Sequence, residues 1–187
     1  REGEALVRSG EWKGWAPDLL LGSGLAGKTC GILGSGPIGR AFGRRVRAIG
    51  MEVVFWDREG TGEPVDLGAE TARRLPLDDL LRSSNVLSLH CPLTDRTRGL
   101  LSRQKLALLP EGAFIINTAR GGIMDEKAAI ELLHGSKIGG VGLDVYENEP
   151  DIDDEWRGAP RTVLLPHLGS ATRETREEMS RLLCDGI

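Results

Sequence analysis

The sequence has only three cysteines, no run of 18 apolar residues and no excess of charge of one sign. Cys30, Cys91 and Cys184 are odd in number and widely spaced, so they predict neither a disulfide framework nor a metal site, and a reducing compartment is the simplest context. Without a long apolar run, we expect no membrane span and a cytoplasmic protein. The net charge of −4, with acids and bases mixed along the chain, argues against a nucleic-acid surface.

The composition is that of an ordinary soluble globular protein, with 40% hydrophobic and 28% charged residues. A length of 187 residues suffices for one well-buried domain and not for two large ones. The chain opens at Arg1 without an apolar segment or a cleavage site, which argues against a signal peptide. Neither end resembles a natural terminus, so we expect a piece of a larger chain.

The most informative stretch is residues 29–57, TCGILGSGPIGRAFGRRVRAIGMEVVFWD, which predicts a complete dinucleotide-binding βαβ unit. Each glycine of its GSGPIG motif has a separate role. Gly34 allows the tight turn out of the strand, Gly36 lets the backbone approach a pyrophosphate, and Gly39 lets the helix pack closely on the sheet. We expect the pyrophosphate at the helix N-terminus, where free N–H groups and the helix dipole favour an anion.

Asp57 ends the second strand of this unit, where an acidic side chain hydrogen-bonds the adenosine ribose hydroxyls of a dinucleotide. A carboxylate in that place repels a 2′-phosphate, so NAD is favoured over NADP. The neighbouring Arg58 offers a guanidinium for such a phosphate, and NADP therefore stays open as an alternative.

Strand and helix patterns alternate through the rest of the chain. We predict strands at 86–90, 113–117, 139–143 and 162–165, and helices at 77–82, 102–109, 125–134 and 172–183, with Ser102 and Asp125 as N-caps. Continuous apolar strands separated by helices predict an α/β fold, a Rossmann-type doubly wound parallel sheet covered on both faces. Ligands of such sheets bind outside the carboxyl ends of the strands.

Polar motifs follow four of these strands and carry a resemblance to a known family. The segments LHCPLT, NTARGG, GLDVYENEP and LLPHLGSAT, together with GILGSGPIG, closely resemble the NAD-dependent D-isomer-specific 2-hydroxyacid dehydrogenases. The opening EWKGWAPDLLLGSGLAGKTCGI is most similar to the glyoxylate/hydroxypyruvate reductase (glycerate dehydrogenase) branch. The resemblance implies the cofactor-binding domain of a two-domain enzyme that reduces small 2-oxo acids to D-2-hydroxy acids with NADH, or with NADPH.

The resemblance also implies a catalytic trio of Arg120, Glu149 and His167. Reduction of a 2-oxo acid needs a hydride at the ketone carbon and a proton at its oxygen. His167 would donate that proton, because imidazole changes charge near neutral pH, and Glu149 would stabilise the imidazolium. Arg120 would bind the substrate carboxylate and the carbonyl oxygen as it gains charge. His134, at the end of a helix, is interpreted as a helix-terminal cation without a catalytic part.

Further cofactor contacts are implied by the same motifs. Pro92 and Thr97 match the loop near the adenosine, Thr118 lies beside the nicotinamide ribose, and Asp144 matches the acid that accepts from the nicotinamide carboxamide. The complete expected set is Gly34, Gly36, Pro37, Ile38, Gly39, Asp57, Pro92, Thr97, Thr118, Ala119, Arg120, Asp144, His167 and Gly169. Pro37 departs from the basic residue often found in its place, which removes one charge contact.

The resemblance divides the chain into three parts. Residues 1–24 are expected to form a dimer arm and linker, residues 25–170 the NAD-binding domain, and residues 171–187 a helix returning toward a substrate-binding domain. The substrate domain of the family is nearly absent, so this piece alone is expected to bind NAD and to turn over poorly. Trp12 and Trp15 would anchor the partner of a homodimer or else form a local core.

Two other functions remain open from the sequence, and a third is disfavoured. Phosphoglycerate dehydrogenase differs mainly through phosphate contacts in the missing domain, and an NAD-sensing corepressor resembles the family while acting as a protein-binding module. Formate dehydrogenases share the fold but pair their histidine with glutamine, and Glu149 speaks against them.

Overall fold

The structure is a computed structural model that describes residues 2–58, 60 and 62–186. Eight strands form one sheet in the order β3-β4-β2-β1-β5-β6-β7-β8. The strands are β1 (Thr29–Leu33), β2 (Glu52–Trp56), β3 (Val65–Asp66), β4 (Thr71–Arg74), β5 (Val86–Leu89), β6 (Ala113–Asn117), β7 (Ile138–Leu143) and β8 (Thr162–Leu164). The helices are α1 (Glu2–Arg8), α2 (Pro37–Ala48), α3 (Leu77–Ser83), α4 (Arg103–Leu106), α5 (Glu126–His134), α6 (Asp154–Gly158) and α7 (Arg173–Asp185), with a 3₁₀ turn at Gly121–Ile123.

The sheet is doubly wound around β1. The chain first adds strands on one side, through β2 to β4, and then on the other, from β5 to β8. Each strand from β4 to β8, in the order of the sheet, pairs in parallel with its neighbour. This confirms the predicted Rossmann-type fold. The strand order reverses between β1 and β5, so the crevice at their carboxyl ends is where a ligand of this fold binds.

One edge of the sheet corrects the expectation of a purely parallel arrangement. Strand β3 pairs antiparallel with β4, with Val65 opposite Ala72 and Asp66 opposite Thr71. Only four residues join the two strands, and a parallel connection needs a crossover of a dozen or more. The sequence analysis predicted neither of these two strands.

Two apolar clusters cover the two faces of the sheet. Successive side chains of a strand point to opposite faces, so Cys30 and Ile32 pack with Val46 and Phe55, whereas Leu33 joins the larger cluster on the other side. Burial raises the pKa of the Cys30 thiol to about 12. It also raises the pKa of Cys91 to about 11, in keeping with the interpretation of both thiols as small core residues.

The predicted helix starts are correct for α5 and α7, where Asp125 Oδ1 accepts from the Ala128 amide at 2.9 Å and Thr172 Oγ1 from the Thr175 amide at 3.2 Å. The predicted helix at 102–109 is wrong in two details. Ser102 stands at the N-cap of α4, but its side chain makes no capping hydrogen bond, and the α-helix ends at Leu106. The following residues continue in turns up to Pro110.

Both ends of the described chain are poorly covered. Neither α1 nor α7 contains a buried residue, and Trp12 and Trp15 are 53% and 83% exposed. The two tryptophans therefore do not form a local core within this structure.

In the described part of the chain, no helix combines the length and the apolarity that crossing a membrane requires.

Candidate active site

The glycine loop between β1 and α2 is built as its sequence predicts. Gly34 has φ +106°, and a Cβ there would lie 2.8 Å from the carbonyl oxygen of His90. A Cβ on Gly39 would lie 2.0 Å from the Gly34 carbonyl oxygen, so only glycine permits this contact of helix and strand. At Gly36 a Cβ would meet nothing within 4 Å, which leaves that stretch of backbone open to a ligand.

Gly36 is also the N-cap of α2, with Pro37 in the first turn and no side-chain cap. The first N–H groups of a helix have no partner within the helix and favour an anion. Ile38 is 72% exposed beside this terminus. The residues thus fit a dinucleotide: an open backbone next to an uncapped helix start is a cradle for a pyrophosphate.

Asp57 follows β2 and lies directly beside the glycine loop. Its Oδ1 accepts from the Ser35 amide and its Oδ2 from the Ser35 hydroxyl, both at 2.6 Å. Arg74 Nε lies 3.0 Å from the same Oδ2. These residues line a cavity of about 490 Å³, whose lining also includes Gly34, Gly36, Arg58, His90, Pro92 and Thr97.

The loop after β5 closes this cavity through a buried threonine. Thr97 Oγ1 donates to the Pro92 carbonyl oxygen at 2.6 Å and accepts from the Thr94 amide at 2.8 Å. Thr97 is 3% exposed, so it shapes the loop that carries Pro92. Both residues line this cavity.

A second cavity, of about 670 Å³, adjoins the first. Both are lined by Gly36, His90, Cys91 and Pro92. The second cavity extends past Pro37 and Ile38 to Thr118, Ala119 and Arg120 at the end of β6. Together the two cavities follow the carboxyl edge of the sheet from Asp57 to Arg120, as an extended dinucleotide requires.

The residues after β7 and β8 form an acid–base pair. His167 Nδ1 and Glu149 Oε2 are 2.7 Å apart, and Glu149 Oε1 accepts from the Tyr146 amide at 2.9 Å. The hydrogen bond with His167 is the main reason that the pKa of Glu149 is lowered, and the charge of Arg120 adds to the effect. The structure thus brings His167 and Glu149 into direct contact, with Arg120 as a smaller electrostatic influence on Glu149.

The backbone around His167 is held in an uncommon conformation. His167 has φ +56°, which non-glycine residues rarely adopt. Asp144, 4% exposed, accepts from the Leu168 amide through Oδ1 and from the Gly169 amide through Oδ2, both at 2.7 Å. Asp144 was expected to accept from the cofactor, whereas here its carboxylate holds the loop that carries His167.

His90 lines both cavities, but its burial disfavours the charged ring. Burial lowers its pKa to about 4, so the ring is neutral at neutral pH. Its Nε2 lies 2.9 Å from Ser88 Oγ and its ring centroid 4.8 Å from that of Phe42. His134 is the C-terminal residue of α5, as predicted.

Sequence reasoning missed three residues that shape the site. Arg74 escaped because the short strand β4 was not predicted. Asn117 is fully buried, and its side chain bonds the Ala119 amide and the Arg120 carbonyl oxygen, both at 3.0 Å. Glu126 lies at the start of α5 and bonds the Glu147 amide at 2.8 Å. An asparagine ending a buried strand was the available signal for Asn117.

Comparison with known proteins agrees with this geometry. The family model described as D-isomer specific 2-hydroxyacid dehydrogenase, NAD binding domain, matches residues 1–169. The chain belongs to this family. It is 41% identical, over its whole length, to a glyoxylate reductase from Thermococcus litoralis and 35% identical to a glycerate dehydrogenase from Hyphomicrobium methylovorum.

The chain spans 57% of the first of these relatives and 58% of the second. Among solved structures, a glyoxylate reductase from Paecilomyes thermophila superposes with a TM-score of 0.87 at 42% identity, covering 97% of this chain and 54% of that one. The resemblance read from the motifs is therefore confirmed at the level of the family, its NAD-binding domain and its NAD(P) cofactor.

Proposed function

We propose that the whole protein reduces small 2-oxo acids, glyoxylate and hydroxypyruvate first, to D-2-hydroxy acids with a nicotinamide dinucleotide. The observation that carries the proposal is the 2.7 Å contact of His167 with Glu149, within the electrostatic reach of Arg120. Relatives named glyoxylate reductase and glycerate dehydrogenase support the same substrate class.

The chain's own residues divide the work of the reaction. The bound nicotinamide supplies the hydride. Glu149 holds His167 through Nδ1, which leaves Nε2 of the imidazolium to give its proton to the ketone oxygen. Arg120 is exposed at the end of the groove, where its planar guanidinium suits a carboxylate and an oxygen that gains negative charge.

The cofactor is held along the groove from Asp57 to Arg120. Backbone N–H groups at Gly36 and Ile38 would take the pyrophosphate, with Pro37, which has no N–H, at the helix start between them, while Asp57 and the loop of Pro92 and Thr97 would take the adenosine. Thr118 and Ala119 lie at the opposite end, which we assign to the nicotinamide ribose. We assign the other wall of that end to Asp144, His167 and Gly169.

The functional unit we propose is a homodimer. Residues 1–24 form the arm, residues 25–170 the NAD-binding domain, and residues 171–187 the helix leading to a substrate domain. The uncovered Trp12 and Trp15 support an arm that packs on a partner. Sedimentation of Trp12→Ala and Trp15→Ala tests it, and an unchanged dimer counts against the arm.

A kinetic panel on the full-length protein tests the reaction. It compares glyoxylate, hydroxypyruvate, phosphohydroxypyruvate, pyruvate and formate. We expect His167→Ala to lower kcat by about 10²- to 10⁴-fold while the dissociation constant of NADH changes little. His134→Ala is the matched control, since this histidine ends α5 outside the groove. A kcat of His167→Ala within about tenfold of the wild type would contradict the proposal.

A further inference from the structure

Arg74 and Asp57 come together because their strands are neighbours. Strand β4 runs parallel to β2 with Arg74 opposite Phe55, so Arg74 ends its strand at the edge where Asp57 follows β2. The side chains are 14% and 22% exposed, which makes this ion pair well shielded from solvent. The pair lies at the adenosine end of the proposed cofactor groove.

The carboxylate of Asp57 is already engaged in the protein. Ser35 donates to both of its oxygens, and the 3.0 Å contact with Arg74 balances its negative charge. A carboxylate has about four lone-pair sites, so less of its capacity is left for a ribose diol than in an isolated aspartate. A side chain whose charge is balanced also repels a phosphate less.

Arginine is well suited to the group that distinguishes the two dinucleotides. A guanidinium binds phosphate oxygens through two parallel N–H groups, and in this fold an arginine near the acid accommodates a 2′-phosphate. Arg74 Nη2 lies 3.3 Å from Ser35 Oγ, which places the guanidinium between the glycine loop and Asp57. Arg58 lines the same cavity and adds a second guanidinium.

We propose that Arg74 is a cofactor-specificity residue that lets this site take NADPH as well as NADH. With NADH, Asp57 accepts from the ribose while Arg74 balances its charge. With NADPH, Arg74 turns its N–H groups to the 2′-phosphate. The inference rests on the proposed function, because it takes the groove to be a nicotinamide dinucleotide site.

Titration calorimetry of the protein with NADH and NADPH tests the role of Arg74. We expect the dissociation constants of the wild type for NADH and NADPH to lie within about tenfold of each other. Arg74→Gln should weaken the binding of NADPH about tenfold or more and the binding of NADH less. Arg73→Gln is the matched control, since this exposed arginine is the preceding residue of β4 and outside the cavity lining. If Arg74→Gln loses no more affinity for NADPH than for NADH, the proposal is overturned.

A second measurement needs no variant and therefore does not depend on its folding. Adenosine 2′,5′-bisphosphate and adenosine 3′,5′-bisphosphate carry the same charge and differ only in the phosphate position. We expect the 2′ isomer to bind more tightly; equal or weaker binding overturns the role of Arg74. NADH binding with NADPH refused overturns this role alone, whereas failure to bind either dinucleotide also removes the proposed function.

Discussion

Trp156 Nε1 donates a hydrogen bond of 2.8 Å to Glu126 Oε2, and both side chains are buried. The other oxygen of Glu126 accepts from the Glu147 amide at 2.8 Å. One carboxylate at the start of α5 therefore ties down both α6 and the segment that leads to Glu149. The acid of the proposed catalytic pair thus follows, two residues later, a backbone segment that is anchored to α5.

We expect Glu126→Leu to destabilise the protein by about 3 kcal/mol, because it leaves the Trp156 indole N–H and the Glu147 N–H buried without an acceptor. Urea unfolding measures the change in the free energy of unfolding. Trp156→Phe removes only one of the two donors and serves as the comparison. A Glu126→Leu variant as stable as the wild type would show that the carboxylate does not hold these segments.

The Glu149–His167 contact predicts a pH dependence. The hydrogen bond with His167 lowers the pKa of Glu149 in the folded protein, so the folded state binds this proton less readily than the unfolded chain. The contribution is present above the ordinary value of 4.5 and is lost as the pH falls through the lowered pKa.

Unfolding free energies measured from about pH 6 down to about pH 3 check this sign. The wild type should lose stability more steeply on acidification than Glu149→Gln, which cannot ionise. Glu147→Gln, an exposed neighbour on the same loop, should follow the wild type. Parallel curves for the wild type and Glu149→Gln would argue against the contact.

Two glycines of the GSGPIG motif should respond to alanine in different ways. A Cβ at Gly39 meets the Gly34 carbonyl at 2.0 Å, so Gly39→Ala forces helix and strand apart and should destabilise by about 2 kcal/mol or more. Gly36→Ala meets nothing within 4 Å and should fold normally, while its methyl group weakens NADH binding about tenfold or more. Thermal unfolding and calorimetry separate the two effects; normal NADH affinity of Gly36→Ala would remove the pyrophosphate from this position.

The parts of the fold that the sequence predicted are those with local signals. The strand-loop-helix around Gly34 and the cap at Asp125 depend on residues a few positions apart. Strand β4 has the sequence TARR, without an apolar period, and is extended because it pairs with β2. Its partner is set by tertiary structure, so Arg74 could not be placed beside Asp57 from the sequence.

The same reason explains why the partners of two buried carboxylates could not be predicted from the sequence. Glu126 follows a helix cap and resembles an ordinary first-turn acid, yet its partner Trp156 lies 30 residues away. Asp144 was assigned to the cofactor through the family's motif, and no local pattern pointed to the Leu168 and Gly169 amides. Which groups a buried acid binds is decided by long-range packing.

Asp144 can be tested without any cofactor. The two carboxylate oxygens of Asp144 accept hydrogen bonds from the backbone amides of Leu168 and Gly169, which follow His167. Asp144→Ala should therefore lower the unfolding free energy of the cofactor-free protein by about 1–2 kcal/mol. Asp151→Ala, an exposed acid of the following loop, is the control and should change little. An acid that served the nicotinamide alone would leave the cofactor-free protein unchanged when replaced. Loss of stability in that state means that Asp144 positions His167 before the cofactor arrives.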